Sequence, residues 1–406
     1  QKMKNKSLTP QIRFKGYEDE WVSRPFSEIV TRYSLLKYDE TIPSVEYEDI
    51  NSKKGTLNKD IFSKPIHKSG QYFQIGDILF GKLRPYLGNN LLANFDGIAV
   101  GDFWIFKNGL ANTRFIYPFL YSKDYSYISN ISSGSKMPRS DWGLVSSWNF
   151  NIPSSEEEQT LIGGLFANID KSIFEAEREI TRLEKMKQAS LQKMFPRPGE
   201  TTPEIRFDGF DGEWRRCKLS ELLTQRIEHQ KISEDEPLLA FSYAEGVIDP
   251  EDKKSNKRDF LMTDKFNKIF SRTEVDDIIY NPANVIHGAI HRNTLKTGVV
   301  SPIYKIFSCS YNISPKYMGV RLRTPHFIAE ILKYIEGTVI KLRTLSPESF
   351  LNMEIEIPNS LSEQECIGEY FVSLDAIISA KRKKLDKLQN LKQSCLDKMF
   401  VNTTAQ

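Results

Sequence analysis

No apolar run in this chain approaches the ~20 residues that a membrane-spanning helix requires, so no membrane partner is expected. Cysteine is scarce, and the four present (Cys217, Cys309, Cys366 and Cys395) have no paired spacing. That pattern excludes a disulfide framework and a zinc knuckle, and it predicts a reducing, cytoplasmic setting. The opening residues are polar and basic and predict no secretory leader. A net charge of +3 over 406 residues is too small to argue for nucleic acid, but its distribution is uneven. At the chain's average, the stretch 278–329 would hold about seven acidic residues; it holds none, yet carries Arg292, Lys296, Lys305, Lys316, Arg321 and Arg323. A surface without carboxylates can approach phosphates without repulsion.

Complete catalytic motifs are also missing. Gly76 to Lys82 has the spacing of a phosphate-binding loop, but Leu83 stands where Ser or Thr must hold magnesium. Asn281-Pro282-Ala283-Asn284 lacks the second proline and the aromatic that stacks on a flipped base in amino-methyltransferases. Glu251-Asp252-Lys253 resembles the tail of a nuclease motif, with no Pro-Asp pair to begin one. His287 and His291 stand four apart without a third ligand, so no metal site is expected. The chain is expected to be non-catalytic and to hold no cofactor of its own.

What the sequence does have is a repeat. Ile152-Pro153 through Glu158-Gln159 returns 205 residues later as Ile357-Pro358 through Glu363-Gln364. The register holds without a gap to Lys193-Met194-Phe195 and Lys398-Met399-Phe400. Upstream, Thr9-Pro10-Gln11-Ile12-Arg13-Phe14 returns 193 residues later as Thr202-Pro203-Glu204-Ile205-Arg206-Phe207, and each copy runs on to a tryptophan, Trp21 or Trp214. Two copies are too few for a solenoid and suit a pseudo-symmetric molecule that meets its partner twice.

The repeated C-terminal segments predict long helices. Ile162, Phe166, Ile169, Ile173, Ala176, Ile180 and Leu183 step alternately by four and three, as in a coiled-coil seam. Ile367, Phe371, Leu374 and Ile378 keep those steps, and Leu385 and Leu388 continue them past Lys381. Ser155-x-x-Glu158 and Ser360-x-x-Glu363 predict a capping box at each start. The predicted organisation is α+β. A first mixed α/β domain spans 1–151, with a tail of about ten residues, and a first coiled-coil helix spans 152–195. A linker at 196–204, a second α/β domain at 205–356, a second helix at 357–400 and a tail at 401–406 complete it. A compact domain of ~150 residues has a radius of gyration of ~15 Å and cannot easily hold its ends ~60 Å apart. The helices are therefore expected to run antiparallel, with the two domains at opposite ends and related by a pseudo-two-fold. Within the domains, 77–80 and 277–280 predict matching strands, and so do 98–106 and 299–307.

Two pairs of loops carry the DNA-binding chemistry. Lys82, Arg84, Tyr86, Asn89 and Asn90 lie after a predicted strand, in a loop without acids. The counterpart supplies Asn281, Asn284 and His287, continuing to His291, Arg292 and Thr294. A second pair stands before each long helix: Ser135, Lys136 and Arg139, then Lys341 and Arg343. Arginine and lysine read guanine edges, asparagine reads adenine, and cations and backbone amides hold phosphate. Two other classes remain open. A self-contained methyltransferase or nuclease with drifted motifs would bind S-adenosylmethionine or cut DNA alone, and a coiled-coil scaffold would show no salt-sensitive DNA binding.

The layout resembles the specificity subunits of type I restriction-modification systems over nearly the whole chain. The resemblance is carried by the Ile-Pro-x-x-x-x-Glu-Gln segments, the duplicated helices, the Thr-Pro-x-Ile-Arg-Phe openings, and Gly76 through Phe80 with Arg84 through Gly88. The second half departs from that signature at Asn284, where the first has Arg84. The resemblance implies that each domain reads one half of a split, asymmetric double-stranded target and that the helices set the gap. It further implies docking of two methyltransferase subunits, which bring S-adenosylmethionine. Restriction subunits using ATP and magnesium would complete such a complex.

Overall fold

The computed structural model describes residues 8–64, 68–131, 137–252, 268–335 and 344–401. The chain forms two compact units, Gln1–Arg178 with Arg382–Gln406, and Glu179–Lys381. Each of the two long helices contributes residues to both.

In the first unit, the strand Val22–Pro25 pairs antiparallel with Asn149–Ile152, just before the first long helix. The main sheet runs in the order Val30–Tyr33, Phe103–Asn108, Ile78–Gly81, Asn90–Leu92. A second sheet runs Leu36–Lys37, Gly70–Phe73, Gly97–Ala99, Ser44–Val45, with its last pair parallel. The second unit repeats the plan. Arg215–Lys218 pairs with Glu354–Ile357, and the main sheet runs Leu223–Gln225, Lys305–Cys309, Ile278–Tyr280, Ile290–Arg292. Its smaller sheet runs His229–Gln230, Phe270–Thr273, Gly298–Val300. A parallel bridge from Leu238 to Val299 stands where the first unit has its parallel pair.

The strands Ile78–Gly81 and Ile278–Tyr280 of the main sheets are buried on both faces, and strand alternation divides their side chains between two cores. Ile78 and Phe80 enter the core shared with the long helices, while Leu79 enters the core beneath the smaller sheet. Ile278 and Tyr280 divide from Ile279 in the same way. The structure corrects one expectation about the strands. The runs 98–106 and 299–307 read as single strands because apolar residues dominate both, but each contains two strands belonging to different sheets, parted near Gly101-Asp102 and Ser301-Pro302. Gly101 breaks the first at φ +106°. The second breaks at a turn closed by Tyr304 N–H donating to the Ser301 carbonyl at 3.1 Å, across Pro302, which has no N–H to give a ladder.

The long helices are Glu156–Lys193 and Leu361–Lys398. Ser155 Oγ accepts from the Glu158 N–H at 3.3 Å, but the glutamates do not close the expected capping boxes. Glu158 is 1% exposed and takes Arg13 through Nε and Nη2 at 2.6 and 2.8 Å. Glu363, equally buried, takes Arg206 at 2.7 Å through both atoms. A carboxylate buried this deeply needs a charged partner, and the repeated Ile-Arg-Phe opening supplies it. The neighbouring glutamines act alike. Gln159 Nε2 donates to the Pro153 carbonyl while its Oε1 accepts from Asn112 N–H, both at 3.0 Å. Gln364 does the same with Pro358 and Ser314, at 3.0 and 2.9 Å. Both repeated motifs are thus clamps that fasten a helix start to its unit.

Gly163 and Gly368 let a short helix press against each long one. A Cβ at Gly163 would stand 2.7 Å from the Arg114 backbone, and one at Gly368 would stand 2.7 Å from Lys316 Cβ. In each unit the start of one long helix packs beside the end of the other. Phe166 stacks on Phe400 at 5.7 Å and Asp170 pairs with Lys392 at 2.6 Å in the first. In the second, Phe195 meets Phe371 at 6.0 Å and Lys187 pairs with Asp375 at 2.5 Å. Ile162, Phe166, Ile169 and Ile180 are buried, as are Ile367, Phe371, Leu374 and Ile378. Ile173, Leu183, Leu385 and Leu388 are half-buried. Among the described residues no helix is long and apolar enough to cross a membrane.

Candidate nucleic-acid interface

The strand Ile78–Gly81 ends in a loop whose geometry is unusual. Arg84 adopts φ 48°, ψ 60°, a left-handed conformation rare for a side chain with Cβ and disfavoured again by the following proline. It introduces the short 3-10 turn Pro85–Leu87, on which Tyr86 is 51% exposed. The segment before the long helix closes on this loop. Leu83 bridges Arg139 antiparallel, Arg84 N–H donates to the Pro138 carbonyl at 2.8 Å, and Ser140 N–H donates to the Lys82 carbonyl at 2.9 Å. Two segments about 55 residues apart in sequence therefore form one surface.

An acid lies in that surface. Asp102 Oδ2 accepts from Arg139 Nε at 3.0 Å and lies 2.9 Å from its Nη2, while Oδ1 is 3.4 Å from Lys82 Nζ. The Asp102 carbonyl accepts from Lys82 N–H at 2.9 Å and from the Tyr47 hydroxyl at 2.5 Å. Burial pushes the Tyr47 hydroxyl above its ordinary range, which keeps it a donor. Neither Asp102 nor Tyr47 was among the residues singled out above. The available signal was that Asp102 is the lone acid between 97 and 123.

The corresponding loop of the second unit is built from amides. Asn281 Oδ1 accepts from the N–H groups of Ala283 and Asn284 at 3.0 and 3.3 Å. The pre-helix segment meets it too: Leu345 N–H donates to the Pro282 carbonyl, and Tyr280 Oη donates to the Leu345 carbonyl, both at 3.1 Å. Asn284, His287 and Thr294 are exposed.

Several expected contact residues face inward instead. Asn90 is buried with its Oδ1 accepting from Gly81 N–H at 3.2 Å, and Asn89 is buried with its Oδ1 accepting from Ser52 Oγ at 2.8 Å. Both amides brace the loop from behind. His291 is 5% exposed, with Nε2 2.9 Å from the Tyr243 carbonyl. Burial, helped by the charges of Arg323 and Lys187, lowers its pKa to about 4, so it offers no cation near neutrality. Arg292 is half-buried and pairs with Asp276 at 2.5 Å. It stands across from Ile278, on the strand face that Ile290 gives to the core, and Asp276, at φ 75°, stands where the first unit has Gly76. The acid-free stretch is also neutralised from outside: Lys296 pairs with Asp249, Lys316 with Glu369, and Arg321 with Glu356. Absence of acid in sequence is not absence in space. Ser135, Lys136, Lys341 and Arg343 lie outside the described residues.

No protein-family model matches the chain. A type I restriction enzyme specificity subunit, MjaVIII, from Methanocaldococcus jannaschii is 21% identical over 340 residues, covering 77% of this chain and 78% of that protein. The EcoDI specificity subunit of Escherichia coli is 26% identical over 202 residues, covering 48% of this chain and 45% of that protein. A crystal structure of a type I restriction-modification S subunit from M. genitalium aligns with TM-score 0.64 at 14% identity, over 98% of this chain and all of that one. The chain shares the fold of that subunit and is similar in sequence to the two curated relatives.

Proposed function

We propose that this chain is the DNA-specificity subunit of a type I restriction-modification assembly, the class its curated relatives and its fold share. The observation that carries this reading is one scaffold built twice with two different exposed loop surfaces. Buried clamps repeat residue for residue, while the loops after Ile78–Gly81 and Ile278–Tyr280 present different chemistry. A protein that reads two unlike half-sites needs that combination: cations and an aromatic for one, amides and the exposed His287 for the other.

In this reading the chain is non-catalytic. The long helices pair antiparallel as a coiled coil that spaces the half-sites, supported by the start-to-end helix contacts within each unit. They also dock two methyltransferase subunits, which bring S-adenosylmethionine, and restriction subunits using ATP and magnesium join the full complex. The test is a map of methylated adenines in cells carrying this chain with its methyltransferase partners. The expected result is one split, asymmetric sequence. The reading fails if the purified chain alone binds labelled S-adenosylmethionine or cuts DNA with magnesium, or if the assembly shows no salt-sensitive DNA binding.

A further inference from the structure

We infer that Asp102 sets specificity in the first unit by holding Arg139 side-on, so that the free edge of the guanidinium reads a guanine. This rests on the DNA-reading function proposed above and deepens it. Asp102 is itself immobilised, since its carbonyl is taken by Lys82 N–H and the Tyr47 hydroxyl, and it follows Gly101 at the start of Phe103–Asn108. Its carboxylate then engages Arg139 through Nε and Nη2. A guanidinium has five N–H donors. Side-on pairing uses the Nε face and leaves both Nη1 hydrogens and one on Nη2. That remaining edge is the one that donates in parallel to guanine O6 and N7. The Arg139 side chain is 49% exposed, so the edge is open to a ligand.

The same carboxylate shapes what Arg139 cannot do well. An anion fixed 2.9 Å from the guanidinium repels an approaching phosphate, whereas a base edge carries no net charge. Asp102 therefore biases Arg139 away from the backbone and toward bases, and it lowers the rotamer freedom lost on binding. Lys82, on the other carboxylate oxygen, is held in the same cluster. The second unit has Ser301-Pro302-Ile303-Tyr304 between the equivalent strands, with no carboxylate, so the device belongs to the first half-site alone.

The experiment uses the full chain with its methyltransferase partners and the duplex found by methylation mapping, along with duplexes substituted at each base pair. Fluorescence anisotropy is measured for wild type, Asp102→Ala, Asp102→Asn, Arg139→Ala and the Asp102→Ala/Arg139→Ala double variant. Asp102→Ala and Arg139→Ala should each lose about tenfold discrimination at the same G·C pair, and the double variant should lose no more than Arg139→Ala. Asp102→Ala should also bind unrelated DNA more tightly with a steeper salt dependence. Asp102→Asn keeps the side-chain size and one acceptor, and it reports on the same pair if the alanine variant does not assemble. The inference is overturned if discrimination at every pair survives loss of the Asp102 charge, or if Asp102 and Arg139 affect different pairs. A wild-type assembly with no sequence preference would instead remove the DNA-reading function itself.

Discussion

The loop after Ile78–Gly81 in the first unit and the loop after Ile278–Tyr280 in the second hang from sheets of identical strand order, yet they handle charge in opposite ways. In the first, Lys82 and Arg139 remain at the surface around Asp102, and Arg84 is held forward by a left-handed backbone. In the second, Arg292 is withdrawn to Asp276, His291 is buried and neutral, and Asn284 and His287 are left exposed. The divergence reaches inward as well, since buried His291 stands where the first unit has buried Leu91. The groups that fasten each helix start to its unit repeat: Arg13 with Glu158 and Arg206 with Glu363, Gln159 and Gln364, Gly163 and Gly368. One sheet order thus carries two unlike loops while the contacts that hold each helix start to its unit stay the same.

The largest effect should come from breaking the fastening. Arg13→Ala leaves Glu158 buried without its charged partner, which costs about 3–5 kcal/mol. Arg206→Ala should cost less, because Glu363 keeps the Trp214 Nε1–H donor at 3.3 Å, whereas Trp21 Nε1 has no partner. Denaturant unfolding of the two variants checks the order, and equal losses would mean that the tryptophan bond does not matter.

The next prediction separates the units by pH. His291 has a folded pKa of about 4 against an ordinary value of 6.5. The unfolded chain therefore takes up the proton first, and His291's contribution to stability is full above pH 6.5 and is lost as pH falls toward 4. The loss amounts to about 3 kcal/mol over that window. The first unit has Leu91 at the equivalent strand position. His291→Leu should flatten the pH dependence of unfolding of Glu179–Lys381 in that window, and an unchanged slope would assign it to other groups.

At the loop itself, Arg84→Ala should cost about 1–3 kcal/mol in DNA binding and relax one position if Arg84 reads a base. Uniform weakening with a shallower salt dependence would assign it to phosphate, and unchanged binding would remove it from the site. The smallest effect concerns the helices. The first long helix has Gly163-Gly164 where the second has Gly368-Glu369. A Cβ at Gly164 meets nothing within 4 Å, so Gly164→Ala should stabilise by about 1 kcal/mol. Gly163→Ala should destabilise by about 1–3 kcal/mol through its contact with the Arg114 backbone.

The repeat, the helix spans and the paired loop segments were legible in sequence because each is written in local spacing. The partners of buried charges were not. Glu158 looked like its own helix's cap, but it serves Arg13, 145 residues away. The stretch 278–329 looked open to phosphate, yet four of its six cations meet Asp249, Asp276, Glu356 and Glu369. Asn89 and Asn90 have the residue type for base reading, and only the fold reveals that their amides point inward. Apolar residues on both sides concealed the breaks at Gly101 and Pro302, because a strand buried on both faces has no alternation to interrupt.

The central claim is that the two units read their half-sites independently, and residues 12–151 provide its most direct test. Exchanging them for the same region of another such subunit, followed by a map of methylated adenines, should change one half of the target and leave the other intact. A change in both halves, or in neither, would contradict the account.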